Sequence, residues 1–306
     1  MVPDNGGVGG QYSGAPVWAS TMVVDPLRGN LYVTTGNNYS VPQSCVDDHS
    51  TCSPDNHFDS ILALDIRTGT IKWAMGAEQM DAWNVACLEG KLLHIIAKNC
   101  PAADSPDWDF GSGANLITTV IDGRVRQILG GGQKSGVYWA LDPDTGAVLW
   151  ATQVGPPGFI GGIQWGSASD NRRIYVAISN SSSTPVQIDG TTTTGGFFCA
   201  LDPATGRILW RTADPTGGID EAPMTVANGV VYGASSDPAG HMYALDAATG
   251  KILWSFASGG SVAAGATVVD GTVYWGSGYD RWPNYGMTGN NKFYAFALPE
   301  SGASAP

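Results

Sequence analysis

Short runs of alternating apolar and polar residues follow each other along this 306-residue chain, and four of them contain one shared phrase, A-L-D-x-x-T-G-x-x-x-W. In each copy an apolar segment leads into Ala-Leu-Asp, Thr-Gly follows, and a second alternating segment ends at Trp. This pattern predicts a β-hairpin, in which two strands are joined by a tight turn. The four copies span residues 63–73, 140–150, 200–210 and 244–254.

The polar residues of the phrase suit a turn better than a catalytic role. An Asp carboxylate can accept hydrogen bonds from the turn amides or from the Thr hydroxyl, and Gly adopts the left-handed backbone conformation that a Cβ opposes. We therefore interpret the repeated aspartates and glycines as structural. They are Asp65, Asp142, Asp202 and Asp246, with Gly69, Gly146, Gly206 and Gly250.

The spacing of the phrases predicts a propeller. Their final tryptophans are 77, 60 and 44 residues apart, and the shortest interval matches one four-stranded blade. Two further strand candidates precede each hairpin, and no long amphipathic helix is visible. The sequence thus predicts an all-β fold, a β-propeller of four-stranded antiparallel blades with about five blades present. The expected segments are a Gly-rich lead (1–14), blades (15–76, 114–154, 161–213 and 221–257), an insertion (77–113), an incomplete blade (262–298) and a tail (299–306).

The last predicted blade lacks an outer strand. Residues 293–298 read as a decayed copy of the phrase, with no Trp-bearing strand after them. A closed propeller has no exposed sheet edge, and the usual closing strand would come from the N-terminus. Residues 1–14 show no strand pattern. Two alternatives follow: either about five blades close loosely, or the chain is the C-terminal part of a larger propeller.

Charge and hydropathy exclude some classes of partner. The formal net charge of −12 disfavours nucleic acids and anionic membrane surfaces, since neither attracts an acidic protein. No apolar run approaches the length of a membrane span. We therefore expect no nucleic-acid partner and no membrane span.

The five cysteines indicate two disulfides. Cys45 and Cys52 bracket a polar loop, and Cys87 and Cys100 bracket a strand-like stretch at 91–97, so both pairs would close an insertion. Disulfides imply an oxidising compartment, and we expect a periplasmic or secreted protein. The alternative is free thiols in a cytosolic protein. Cys199, inside a predicted strand, reads as a free core residue. Neither C-x-x-C nor C-x-x-C-H is present, which disfavours zinc and covalent haem.

Further motifs lie between the hairpins, at residues 36–38, 108–110, 133–136 and 162–166. Together with the repeated phrase they resemble the quinoprotein alcohol dehydrogenases, which use pyrroloquinoline quinone (PQQ). The polyvinyl-alcohol dehydrogenase branch also shares the strings at 81–87 and 161–167. The resemblance covers essentially the whole chain, but only the C-terminal portion of the family's eight-bladed propeller.

The resemblance assigns two reactive residues. PQQ is a flat tricarboxylate with an electrophilic quinone, so its site needs stacking surface, a cation near the carbonyls and a base for the alcohol proton. By resemblance Asp109 is the catalytic base, and the ammonium of Lys134 faces the quinone oxygens. The alternatives are a loop Asp that caps a turn and a solvated turn Lys.

The resemblance also implies calcium, with Asn37 and Asp109 as ligands. An amide oxygen and a carboxylate are donors that Ca²⁺ accepts. Lanthanide-type members carry a second Asp two residues after the base, where this chain has Gly111, so calcium is the expected metal. The family's glutamate ligand has no match here, and Asn37 could instead be an ordinary turn residue.

The remaining expected cofactor contacts are aromatic or amide side chains. Gln164 and Trp165 take the place of an Asn-Trp pair in the family, and Trp108 adjoins the base. Trp18 falls near the place of the family's stacking indole, although its spacing to Asn37 is one residue longer than in the family. Trp18 could instead be a core residue. The adjacent Cys-Cys pair of some relatives and the family's upstream arginine, serine and threonine contacts have no match.

Two functions remain from the sequence. The first is a dehydrogenase that oxidises secondary alcohols, including polymers such as polyvinyl alcohol, to ketones and passes the electrons to a cytochrome c. The alternative is a non-catalytic propeller that serves as a protein-binding scaffold, or an inactive fragment. A scaffold has no need of Asn37, Asp109 and Lys134 together, and this combination favours the enzyme.

Overall fold

The computed structural model describes residues 1–6, 8–18, 21–87, 100–101 and 105–298. Within these residues, antiparallel sheets succeed one another along the chain, each with its strands in sequence order. Sheet I contains Val23–Asp25, Asn30–Thr34, Ser60–Asp65 and Ile71–Gly76. Sheet II contains Asn115–Ile121, Arg124–Gly132, Val137–Leu141 and Val148–Gln153. Sheet III contains Ala168–Ser169, Ile174–Ile178, Phe197–Leu201 and Ile208–Ala213.

Sheet IV contains Thr225–Ala227, Val230–Ala234, His241–Asp246 and Ile252–Ala257, and sheet V has three strands, Thr267–Val269, Thr272–Gly276 and Phe293–Ala297. The first strands of sheets II, III and IV contact each other in that order. The expected all-β class with four-stranded antiparallel sheets is confirmed. The described helices are short: Gln43–Asp47 is α-helical, and His49–Thr51 and Pro283–Tyr285 are 3₁₀ turns.

Two small ribbons complete the described strands. Val186–Ile188 pairs with Thr191–Thr193 inside sheet III's insertion, and Ser13–Gly14 pairs with Asn38–Ser40. The second ribbon is a difference from the sequence, which shows no strand pattern before residue 15. The pairing depends on a close backbone approach that only Gly allows, because a Cβ on Gly14 would overlap the backbone of residues 37–39. The strand-like stretch at 91–97 and the tail at 299–306 lie outside the described residues.

The hairpin turns use the phrase as the sequence predicts. In the first copy, Oδ1 of Asp65 accepts hydrogen bonds from the amides of Arg67 and Thr68 at 3.0 Å and from the Thr68 hydroxyl at 3.1 Å. The aspartates of the other copies accept the corresponding amides. The four glycines have φ between 72° and 74°. Their role in the turn is confirmed.

The tryptophan that ends each of the first three phrases packs on the turn of the next phrase. Trp150 lies against Gly206, where an added Cβ would come within 2.5 Å of the ring, and its indole N–H donates to the carbonyl of Pro203 at 3.1 Å. The same joint forms between Trp73 and Gly146 and between Trp210 and Gly250. Consecutive sheets are therefore fastened to each other at their outer hairpins.

The hydrophobic core consists of layers between neighbouring sheets. The layer between sheets II and III includes Ile117, Tyr138, Val176 and Phe197, all fully buried. It also holds Cys199, which is a free thiol as expected. Comparable layers lie between sheets I and II, III and IV, and IV and V. Sheets II, III and IV each contribute to two of these layers, so both of their faces are covered.

The insertions carry the disulfides that the sequence predicts. Cys45 is bonded to Cys52 and Cys87 to Cys100, with Cα–Cα distances of 4.6 and 4.7 Å. The paired cysteines are seven and thirteen residues apart in sequence. In the described part of the chain, no helix has the length and apolar character that crossing a membrane requires.

Candidate active site

A single cavity of about 820 Å³ collects all but one of the site residues expected from the sequence. It lies among loops that connect the strands of sheets I, II, III and V. The expected residues that line it are Trp18, Asn37, Asp109, Lys134, Gln164 and Trp165. Trp108 is the exception. Its indole lines a second cavity of about 570 Å³, together with Glu78 and Trp139.

Lys134 is the centre of a buried charge cluster in this cavity. Its Nζ lies 2.5 Å from Oδ2 of Asp109 and 3.0 Å from Oδ2 of Asp107, and the three side chains are 4 to 7% exposed. The backbone fixes the same arrangement, because the Lys134 amide donates to the carbonyl of Asp109 at 3.0 Å and the Lys134 carbonyl accepts from Gly162 at 2.8 Å. Lys134 thereby joins three loops, with its ammonium and amide on the 107–109 segment and its carbonyl on Gly162.

Asp107 is a member of this cluster that sequence reasoning missed. Its backbone is left-handed, with φ 63°. Burial raises the pKa of Asp107 to about 8, with Lys134 opposing and the charge of Asp109 supporting the rise. For Lys134, burial alone would lower the pKa, but the two carboxylates raise it above its ordinary value. The ammonium is therefore fully charged at neutral pH. The available signal was the spacing: residues 107 and 109 both face Lys134, while 108 faces away.

Asn37 and Asp109 share a polar corner of the cavity. The backbone amide of Asn37 donates to Oδ1 of Asp109 at 2.6 Å. The side-chain amide group of Asn37 donates to the carbonyls of Asn38 and Trp83, at 2.9 and 2.8 Å. Because both bonds use the side-chain NH₂ group, Oδ1 is the side-chain atom of Asn37 that can contact a ligand. Gly36 is required here, since a Cβ would overlap the Asp109 carboxylate.

This corner supplies oxygen donors of the kind that calcium prefers. Asn37 and Asp109 contribute an amide oxygen and a carboxylate within one buried contact. Calcium takes six to eight oxygens, so the two residues provide part of a coordination sphere. Among the described residues, no group of three or more His, Cys, Asp or Glu side chains is arranged to hold a metal ion.

Asp81 holds the loop that carries the charge cluster. Its carboxylate accepts the backbone amides of Trp108 at 2.6 Å and Asp107 at 3.3 Å. Burial raises the pKa of Asp81 to about 6. Burial, and then the charge of the neighbouring Asp81, raise the pKa of Asp59 well above its ordinary value.

Two indoles and an amide form a surface beside Lys134. The rings of Trp18 and Trp165 are 5.3 Å apart and tilted by 50°, and the Lys134 Nζ lies 4.8 Å from the centre of the Trp18 ring. Oε1 of Gln164 is buried without a partner among the described residues. A Cβ on Gly111 would come within 2.9 Å of that oxygen and 3.0 Å of Trp18. An aromatic face, an orphaned acceptor and a cation side by side fit a flat quinone cofactor.

Other residues of the cavity were not expected from the sequence. They include Tyr39, Phe159, Tyr279, Arg281 and Trp282, with residues 84–86. Tyr279, Arg281 and Trp282 come from the loop between the last two strands of sheet V. The signal for them was the run of aromatic and charged residues at 279–285, which no strand pattern explains.

Fold and cavity together define a repeat protein whose consecutive antiparallel sheets present a ligand-sized, charged cavity among their loops. The chain belongs to the PQQ_2 family, since the family model described as outer membrane protein assembly factor BamB matches residues 133–289, half of its length. The resemblance to PQQ-dependent alcohol dehydrogenases of the polyvinyl-alcohol type is confirmed by the relatives described next.

Curated relatives include two polyvinylalcohol dehydrogenases. One, from a Pseudomonas species, is 31% identical over 296 residues, covering 87% of this chain and 41% of the relative. The other, from Sphingopyxis sp. (strain 113P3), is 32% identical over 200 residues, covering 65% and 27%. A lupanine 17-hydroxylase [cytochrome c] from a Pseudomonas species is 27% identical over 253 residues, covering 70% and 35%. The chain thus spans less than half the length of these relatives.

A solved structure shows the same fold. The quinohemoprotein alcohol dehydrogenase ADHIIG from Pseudomonas putida HK5 superposes with a TM-score of 0.66 at 17% identity, covering 96% of this chain and 51% of the other. At this identity the similarity establishes the fold alone. The sheets described above are accordingly similar to those of a quinoprotein propeller.

Proposed function

We propose that the protein is a quinoprotein alcohol oxidoreductase that oxidises secondary alcohols, including polymeric ones of the polyvinyl-alcohol kind, to ketones. The observation that carries the proposal is the contact of Lys134 with Asp109 and Asp107, next to Asn37 and the Trp18–Trp165 pair, in one cavity. The similarity to polyvinylalcohol dehydrogenases supports the choice of alcohol.

The residues of the cavity divide the work of holding the cofactor. One indole of the Trp18–Trp165 pair would face the ring system, Lys134 and Gln164 would contact its polar atoms, and Asn37 with Asp109 would hold calcium. When bound, PQQ supplies a hydride acceptor and calcium supplies a Lewis acid beside it. The aromatic side chains keep water away from the reacting atoms, which strengthens the charge interactions inside the cavity.

Asp109 is the group that accepts a proton. Its carboxylate is buried and held from two sides, by the Asn37 amide on Oδ1 and by the Lys134 ammonium on Oδ2. It would take the hydroxyl proton of the alcohol while the hydride leaves the carbinol carbon. Lys134 stabilises negative charge that develops nearby, because it stays protonated throughout the neutral range.

The proposal extends to an electron acceptor and a location. A cytochrome c would take the electrons, which the name of the lupanine 17-hydroxylase supports. A periplasmic or secreted location is supported by the two disulfides, since such bonds persist in oxidising compartments.

A scaffold function is the second candidate, and the description of the matching family model favours it. A scaffold would not need a buried ammonium between two carboxylates, because burying charge is costly unless it serves a purpose. The two functions therefore differ at Lys134 and its partners.

The test is dye reduction by the full chain with PQQ, calcium chloride and 2-butanol. We expect activity that requires both additions, and a loss of about 10²-fold or more in Asp109→Asn, as for the removal of a general base. Asp122→Asn, on an exposed turn, is the control. Absence of any PQQ binding or dye reduction in the wild-type chain would favour the scaffold, and full activity in Asp109→Asn would refute the base assignment.

A further inference from the structure

Three aromatic rings that the proposed function does not use form one continuous surface in the same cavity. Phe159 lies between the other two: its ring centre is 5.1 Å from that of Trp83 and 5.7 Å from that of Trp282. All three side chains are partly buried, so part of each ring faces the cavity. We call this surface the aromatic wall.

The aromatic wall reaches the reacting groups at its inner end. The Phe159 ring centre lies 5.9 Å from the Lys134 Nζ, and the Trp83 carbonyl accepts a hydrogen bond from Asn37 at 2.8 Å. Val85, which is 60% exposed, extends the apolar surface on the Trp83 side. At the outer end the guanidinium of Arg281 lies 5.4 Å from the Trp282 ring.

The loop that carries Trp282 is fixed in place by Ser261, a fully buried residue. The amides of Gly278 and Tyr279 donate to the Ser261 carbonyl, each at 2.9 Å. The amide of Thr288, at the other end of the loop, donates to the Ser261 hydroxyl at 3.0 Å. Both ends of the loop are therefore anchored to the neighbouring segment, and Trp282 is presented to the cavity by a preorganised loop.

The geometry of the rings selects the kind of ligand. Phe159 is tilted by 52° from Trp83 and by 73° from Trp282, so the wall is a bent surface with no common plane. A rigid tricyclic ring can stack on only one of these faces. A flexible aliphatic chain can follow the bend and contact all of them.

We propose that the aromatic wall binds the aliphatic chain of the alcohol, which makes the site selective for secondary alcohols with an extended chain over 2-propanol. This inference rests on the proposed function and names the substrate class of the same site. Burial of a methylene group contributes about 0.8 kcal/mol, or about fourfold in kcat/KM for each methylene that reaches the wall.

The test compares kcat/KM across 2-propanol, 2-butanol, 2-pentanol and 2-hexanol. In the wild type we expect kcat/KM to rise about fourfold with each methylene. In Trp282→Ala we expect the ratio of 2-hexanol to 2-propanol to fall at least tenfold, and Trp282→Phe should recover part of it. Trp254→Ala, which removes a 38% exposed Trp outside the cavity, is the matched control and should keep the ratio.

Two results would overturn the proposal. The first is an unchanged ratio of kcat/KM for 2-hexanol to 2-propanol in Trp282→Ala. The second is loss of PQQ binding in that variant, measured by fluorescence titration, because it would place the cofactor on the aromatic wall. Failure of the proposed function looks different, since no alcohol would then be oxidised by any variant. In that case the aromatic wall is tested by calorimetry, which compares 2-hexanol binding to the wild type and to Trp282→Ala. Weaker binding in Trp282→Ala supports the wall as an alkyl site, and equal binding refutes it.

Discussion

Lys134 offers the sharpest test of the site, because it is the one cation in contact with Asp107 and Asp109 within the described part of the chain. Lys134→Met keeps the length of the side chain and removes its charge, leaving two adjacent carboxyl groups that are at most 7% exposed. Removal of one partner from a buried ion pair costs about 3–5 kcal/mol. We expect the free energy of unfolding of the chain to fall by about this amount at pH 8.

The loss should depend on pH. Without the ammonium, the carboxyl pair must hold an additional proton to remain buried, and the unfolded chain does not hold that proton above its carboxyl pKa of about 4. The folded state then binds more protons than the unfolded state, so stability falls as the pH rises above about 4. The variant should lie nearest the wild type at pH 4 and farthest from it at pH 8.

Urea unfolding followed by tryptophan fluorescence measures both effects. A double variant, Lys134→Met with Asp107→Asn, removes one carboxyl group and should recover at least half of the loss. Lys251→Met, at an exposed position, should change stability by no more than about 0.5 kcal/mol. A loss below about 1 kcal/mol at pH 8, or one that is the same at pH 4, would contradict a dry charge cluster.

Two further predictions concern the rest of the fold. In thermal unfolding, Gly206→Ala should be more destabilising than Gly69→Ala by about 1–3 kcal/mol, because the added methyl group overpacks the site. The backbone angle φ is 72° and 73° at the two sites, but only Gly206 has Trp150 packed against it. Equal losses would show that the joint is loose. Burial raises the pKa of Glu221 to about 7, so the folded state holds this proton more tightly than the unfolded state does. The stability that results is about 3 kcal/mol. It is lost as the pH rises from about 4.5 through 7. Glu221→Gln should remove that decline in urea unfolding, and an unchanged pH profile would refute it.

The parts of the structure that the sequence predicts are those set by local chemistry. The hairpins follow from alternation, and the turn roles of Asp65 and Gly69 follow from hydrogen bonds and backbone angles within seven residues. Each disulfide joins two cysteines that lie within thirteen residues of each other in sequence. In each case the interacting groups are close along the chain, so the local sequence pattern is enough to predict the contact.

The parts that escaped prediction depend on contacts between distant segments. Asp107 reads as one more loop carboxylate until the fold buries it against Lys134, twenty-seven residues later. Trp108 was expected at the cofactor, but its side chain lines a different cavity from those of Asp107 and Asp109, and Asp81 fixes its backbone. Trp282 enters the cavity because Ser261 anchors its loop, and the run at 279–285 marks that loop without revealing its distant anchor.

The joint between a phrase tryptophan and the following turn allows the loops to change in sequence without a change in how the sheets are assembled. The joints at Trp73, Trp150 and Trp210 have the same close approach although the phrases stand 77, 60 and 44 residues apart. The joint is made by phrase residues and, in two of the three cases, by a Thr two residues after the phrase. The chain between two such units can therefore lengthen or change in sequence while the assembly of the sheets stays the same. New specificity can therefore be acquired in the loops, independently of the architecture that supports them.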